Sequence, residues 1–173
     1  MNKQFEALMV QLQAGKIKRW HTHPIIGEQT VADHTYGVVQ ILRYLYQNKC
    51  PPCLLTAALD HDVPEWYTGD IPFGAKEGSH SLRMGLRKLE ACYIEDGGII
   101  HDLTIAEKKV LKFADLAEMG FFAMHQWKMG NDTMEVVINV IDALPEINLS
   151  ITEKSAAIIK SLLMGFVNGQ GKR

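Results

Sequence analysis

Apolar residues recur at helical spacing along most of this chain, and no stretch alternates apolar with polar residues as a half-buried strand requires. That pattern leaves one broad solution: helices that each hide an apolar stripe against the others. Residues 2–14 place Phe5, Leu8, Met9 and Leu12 on one face and stop at Gly15. A second helix, from about Thr30 to Gln47, carries Val31, His34, Val38, Ile41, Leu42 and Leu45 on its stripe. Pro51 and Pro52 suit the first turn of a third, which runs to Asp62. A fourth covers about 79–94 and ends at Gly97–Gly98. Thr104 with Glu107 makes a capping box for a long helix to about Trp127, and Asn131–Asp132 opens another to about Ala143, stopped by Pro145. Ser150 with Glu153 makes a second capping box for a last helix to about Asn168, and Gly171–Lys172–Arg173 forms a frayed tail. Residues 63–78, rich in Pro, Gly and aromatics, break the pattern, as functional loops do. The expectation is an all-α chain with one domain over residues 1–173.

Composition removes several function classes. At 173 residues and 47% hydrophobic, the chain has enough material for one real core. Its formal charge of −2 offers no broad basic surface for nucleic acid. Three cysteines cannot close a disulfide framework, which points to a reducing compartment. No apolar run reaches the roughly 20 residues of a membrane span, and the N-terminus lacks the apolar stretch of a signal peptide. The sequence therefore predicts a cytoplasmic protein, in the host cytoplasm if it is phage-encoded.

Seven histidines then need sorting. His61–Asp62 closes the apolar helix Leu54–Leu59, where an unpaired buried charge is very costly and one cation would partner both side chains. His34 lies on the stripe of Val31, Val38 and Ile41 and points at the core; alone it reads more readily as a hydrogen-bonded core histidine than as a ligand. Asp115 shares a face with Leu111 and Met119, and asks for a cation unless it sits at the edge of the stripe. Together these make two imidazoles and two carboxylates from three helices. Such a mixed set suits a divalent ion such as Mn, Co, Zn or Fe, with positions left for water and substrate.

The order of a His, a His-Asp pair and a later Asp resembles the HD-domain phosphohydrolase superfamily, over roughly residues 15–120. The segment His61-Asp62-Val63-Pro64-Glu65-Trp66-Tyr67-Thr68-Gly69-Asp70-Ile71-Pro72 is similar to the signature of its deoxynucleotide-hydrolysing branch, which includes bacterial 5′-deoxynucleotidases. Arg19–Trp20, about 14 residues before His34, resembles that branch's substrate-binding Arg-Trp pair. The resemblance implies an HD-type helical bundle in which His34, His61, Asp62 and Asp115 hold a metal (cobalt, manganese or zinc). It implies that Glu65 and Asp70 orient or deprotonate the attacking water and assist the leaving group. Arg19, Lys76 and Lys112 are candidate phosphate partners, each with an ordinary surface charge as its alternative. Trp20 and Thr22 would flank sugar or base, with plain core packing as the alternative for Trp20. The chain's size and the Gln29–His34 run look most like compact phage enzymes of this superfamily, dATP triphosphohydrolases of the 2-aminoadenine pathway. The implied activity is release of a deoxynucleoside and triphosphate, with a 5′-deoxynucleotidase as the alternative. The implied partner is a small-molecule deoxynucleotide, in a homo-oligomer, hexamer or dimer.

Two readings from other classes were weighed. A non-catalytic nucleotide-binding regulatory domain would not need the acid pair Glu65 and Asp70. An oxygenase on the same scaffold would want extra histidines between His34 and His61, and none occurs there. Cys50-Pro51-Pro52-Cys53 sits between helices rather than after a strand, so a loop and helix start is favoured over redox chemistry. His101–Asp102 reads as a surface turn, and His21 and His23 as possible substrate neighbours.

Overall fold

The computed structural model describes residues 3–97, 101–147 and 149–170. Within them the chain is all helix: α1 (Lys3–Ala14), α2 (Val31–Leu45), α3 (Pro52–Asp60), α4 (Glu65–Thr68), α5 (Phe73–Gly78), α6 (His80–Gly97), α7 (Ile105–Lys128), α8 (Met134–Ala143) and α9 (Ser150–Gln170). A lone antiparallel bridge joins Lys18 and Thr30. The expected glycine stop at Gly98 and the tail at 171–173 lie outside the described residues.

Helix α7 is the axis of the bundle and packs against α2, α3, α8 and α9. Its Val110, Phe113, Ala114, Leu116 and Ala117 meet Val38, Leu42 and Leu45 of α2, Leu54, Ala57 and Ala58 of α3, Val137 and Val140 of α8, and Ile159 and Leu163 of α9 in one buried cluster. The α2 stripe read from the sequence is the buried one, His34 included. No described helix is long and apolar enough to cross a membrane.

Several boundaries follow the predicted caps. Thr30 and Thr104 each accept an amide from the third helical residue, and the Asp33 and Glu107 side chains reach back to the capping amide. The Thr30 capping box on α2 adds to those expected at Thr104 and Ser150. Two expected starts differ. Helix α8 begins at Met134, because the Thr133 hydroxyl is drawn to the Ala123 carbonyl and Asn131 to Gln126. Ser150 is the first residue inside α9, and the Leu149 carbonyl accepts from the Thr152 and Glu153 amides. Residues 63–78, expected as a broken stretch, form two short helices separated by Gly69-Asp70-Ile71-Pro72. His101, expected in a surface turn, instead hydrogen-bonds to Asp60 at 3.0 Å, which ties the segment before α7 to the end of α3.

The Thr104 cap anchors the start of the helix on which the core depends. Thr104→Ala should lower unfolding free energy by about 1 kcal/mol, measured by urea denaturation. An unchanged midpoint would mean that the cap contributes nothing.

Candidate active site

The side chains singled out above converge on one face of the α2–α3–α7 junction. His34 Nε2 lies 3.2 Å from Asp115 Oδ1 and 3.6 Å from Asp62 Oδ2. His61 Nε2 lies 3.4 Å from His34 Nε2 and 3.4 Å from Asp62 Oδ2. Hydrogen bonding decides what these nitrogens are for. The His61 Nδ1–H donates to the Ala58 carbonyl at 2.6 Å, and the His34 Nδ1–H donates to Glu118 Oε2. Carbonyl and carboxylate oxygens only accept, so whenever both imidazoles are neutral each turns an Nε2 lone pair toward the other. Two lone pairs and carboxylate oxygens facing one another repel unless a cation lies between them. His34, His61 and Asp115 each offer a ligand atom within 4.8 Å of the others, a set able to hold a metal. Both imidazoles have the outer hydrogen bond that metal-ligating histidines use to fix ring orientation.

The protonation pattern tells the same story. Burial disfavours a charged His34, but its hydrogen bonds to Asp115 and Glu118 outweigh this and push its pKa up to about 9. Burial also works against ionised Asp115, yet the His34 hydrogen bond and Lys112 hold it well below the usual carboxylate range. Asp62 is likewise held below its ordinary value, against burial, by His61 and the Arg19 guanidinium beside it. The site is built around one positive charge, and in the absence of a metal ion a proton on His34 supplies it.

Beside this cluster sit the other predicted residues. Arg19 donates to Asp62 at 2.6 Å and lies 3.9 Å from Glu65. Lys112 is paired with Asp115 at 2.8 Å, and Lys76 stands 4.0 Å from Glu65. Glu65 is the first residue of α4 and is buried; desolvation first, then the charges of Asp62 and Asp70, push its pKa up to about 8 against the pull of Arg19 and Lys76. Its Oε2 and the Arg19 Nε are buried without a hydrogen-bond partner among the described residues. Two such atoms, one donor and one acceptor, leave bonding capacity for water or substrate. Gly69 has φ +69°, a left-handed turn that a side chain would strain, and it returns Asp70 to accept from the Trp20 amide at 3.3 Å. Trp20 itself has φ 64°, a strained conformation for a bulky residue.

A cavity of about 490 Å³ joins these groups. Arg19, Trp20, Thr22, Lys76 and Lys112 line it together with His61, Asp62, Glu65, Asp70 and Asp115. His23 is also at the wall. Trp20 is both buried core and cavity lining, so the two readings of it hold together. The fully buried His34 lies behind the wall.

Sequence reasoning missed three features. Glu118 holds His34, and Gln29 holds Glu118 at 2.8 Å. Glu118 follows Asp115 by one helical turn, a spacing that marks a shared face but not a partner. The far wall of the cavity comes from α8, through Val136, Asn139, Val140 and Ala143.

A family model described as "5'-deoxynucleotidase YfbR-like" matches residues 4–103. The chain belongs to that family. It is thus a hydrolase of the HD-domain phosphohydrolase class, acting on deoxynucleotides in a metal-dependent reaction. No curated protein matches the sequence. Among solved structures, the cyanophage S-2L HD phosphohydrolase DatZ, bound to dA and one catalytic Zn2+ ion, superposes with a TM-score of 0.64 at 21% identity over 95% of each chain. A conserved hypothetical protein from Pyrococcus furiosus gives 0.69 at 20% identity, over 90% of this chain and 98% of its own. A Listeria innocua HD-domain phosphohydrolase gives 0.62 at 19% identity, over 98% and 90% respectively. These likenesses establish the all-α HD-domain bundle. Asp115, Lys112 and Glu118 lie beyond the matched segment, and the fold alone brings them to it.

The elevated pKa of Glu65 has a sign that can be tested. An acid with a pKa raised from 4.5 to about 8 stabilises the fold below pH 4.5 and loses that contribution as pH rises through 8. In EDTA, the Tm of Glu65→Gln minus that of the unmutated protein should grow between pH 5 and 8 and then level off. A difference that stays constant with pH would show that Glu65 ionises normally.

Proposed function

We propose that this enzyme hydrolyses deoxynucleoside triphosphates to the deoxynucleoside and triphosphate. The observation that carries this reading is the gathering of Arg19, Lys76 and Lys112 around one cavity beside the acceptor cluster. A triphosphate carries more charge than one metal and one guanidinium offset, and the two lysines give it further partners. In this reading His34, His61, Asp62 and Asp115 hold a divalent ion, with zinc, cobalt and manganese all suited to the mixed nitrogen and oxygen set. Such an ion polarises a phosphoryl oxygen and lowers the pKa of water.

The remaining chemistry belongs to the chain. Water adds to the α-phosphorus, the bond to the 5′-oxygen breaks, and a proton must reach that oxygen. Glu65, with a pKa near 8, exchanges a proton at working pH, and its unpartnered Oε2 is the atom that meets water. Asp70, returned by the Gly69 turn, assists the leaving oxygen. Arg19 bridges Asp62 and the phosphates and holds the reacting group against the cluster. Trp20 and Thr22 flank the nucleoside, and the rigid Trp20 ring leaves no room for a 2′-hydroxyl. The same reading places the protein in the cytoplasm as a homo-oligomer. The half-exposed α1 stripe of Phe5, Leu8, Met9 and Leu12 supports self-association.

A 5′-deoxynucleotidase acting on monophosphates is the second reading, favoured by the family match over residues 4–103. Incubation with Zn2+, Co2+ or Mn2+ and a panel of dNTPs, dNMPs and NTPs separates them. Triphosphate released from a dNTP is expected; phosphate released from dNMPs alone would establish the second reading instead. Metal binding with no turnover of any nucleotide would indicate a regulatory binding module. Charge-assisted hydrogen bonds are worth about 1.5–3 kcal/mol, so Lys76→Ala and Lys112→Ala should each raise KM for the dNTP about tenfold or more. Steady-state kinetics would reject the triphosphate pocket if both KM values stayed at that of the unmutated enzyme.

A further inference from the structure

A continuous buried hydrogen-bond chain leads from the substrate loop to the candidate metal ligand. The Trp20 indole Nε1–H donates to Gln29 Oε1 at 2.7 Å. The Gln29 amide Nε2–H donates to Glu118 Oε1 at 2.8 Å. The other oxygen of that carboxylate, Oε2, accepts from His34 Nδ1–H. Gln29 and His34 are 3% and 0% exposed, so both ends of the Glu118 carboxylate's bonds lie out of water. Each group in the chain has one available role. The indole only donates, the carboxylate only accepts, and the Gln29 amide is therefore oriented by its two neighbours.

The packing around Glu118 shows that its place is reserved. Gly37 lies one helical turn after His34 on α2. A Cβ at that position would sit 2.6 Å from Glu118 Cγ and 3.1 Å from its Oε1. Elsewhere an alanine would favour this helix, because glycine costs about 1 kcal/mol in a helix interior. Here only the missing Cβ lets the Glu118 side chain lie across α2 and reach both His34 and Gln29.

We propose that Glu118 and Gln29 are positioning residues that tie the nucleoside subsite at Trp20 to the metal ligand His34, so that occupancy of one tightens the other. Glu118 fixes the His34 ring with Nε2 toward the cluster and raises its basicity as a ligand. Gln29 carries the orientation of that carboxylate to the indole, whose ring also packs on Phe122 with centroids 5.1 Å apart. Coupling of this kind is reciprocal: a metal that draws His34 forward sets Trp20, and a nucleoside on Trp20 strengthens the metal site. The assignment of Trp20 to the nucleoside rests on the deoxynucleotide reading given above; the link between Trp20 and the metal site does not.

The test uses Zn2+ alone, with calorimetry and the indole N–H resonances of the 15N-labelled protein, Trp20 being assigned from Trp20→Phe. In the unmutated protein the Trp20 indole signal should move with the same midpoint as zinc binding. In Gln29→Met, which keeps the volume and breaks the chain, zinc should still bind while that signal no longer responds. The same variant should raise KM for the deoxynucleotide more than it lowers kcat. Glu118→Gln should weaken zinc binding about 10-fold or more. Gly37→Ala should weaken it in the same direction although Gly37 touches no ligand. The proposal is overturned if Glu118→Gln and Gly37→Ala bind zinc as tightly as the unmutated protein, or if the indole of Gln29→Met still follows the metal. Should Gln29→Met fail to fold, the Glu118 and Gly37 isotherms decide alone. Should no nucleotide be hydrolysed, the activity reading fails while the zinc isotherms and the indole response stay readable.

Discussion

The arrangement depends on two imidazole Nε2 atoms held 3.4 Å apart, each with its other nitrogen already committed. Left alone, that contact is repulsive, and carboxylates placed around it make it worse for any neutral occupant. The surrounding protein is built to tolerate this only with a positive charge at the centre. Asp62 and Asp115 stay ionised because Arg19 and Lys112 stand behind them, and Glu118 stays against His34 because Gln29 supplies its second partner.

The bundle supplies the rigidity that this pattern needs. Asp115 and Glu118 sit on α7, which is packed on four sides, so neither can retreat from the cluster without disturbing the core. His34 belongs to the most deeply buried stripe of α2. The flexible chemistry is moved to the segments that are not packed so fully. Short α4 and α5, joined through the left-handed Gly69, bring Glu65, Asp70 and Lys76 to the cavity. The strained Trp20 meets this connection directly, its amide donating to Asp70. Acid-base groups on a bent connection and ligands on long helices is a sensible division, because ligands demand fixed distances and proton carriers must meet water.

The helices and the chemical kernel were legible from residue order. The α2 stripe, the Thr104 box and the break at 63–78 appear where periodicity and capping chemistry put them, while on α7 the face of Leu111, Asp115 and Met119 lies at the edge of the buried stripe of Val110, Phe113, Ala114 and Ala117. His34, His61, Asp62 and Asp115 were conspicuous in the sequence because polar groups inside apolar stripes are expensive, whereas Glu65 and Asp70 came only from the resemblance of the segment 61–72. The errors have physical causes. Asn131, expected to open α8, is instead drawn to Gln126, and at the start of α9 the Leu149 carbonyl accepts the amides that a Ser150 cap was expected to take. His101 found Asp60, a partner 41 residues away that no local window contains.

Residue order by itself determined which side chains would be buried and chemically awkward, since helical period and polarity decide that locally. It could not determine which awkward groups would solve one another's problem. Glu118 looks like an ordinary charge on a helix, Gln29 like a loop residue and Gly37 like a weak point in α2. Only the crossing of α2 over α7 decides that the three meet, because hydrogen bonds and steric exclusion act over a few ångströms in space whatever the separation along the chain.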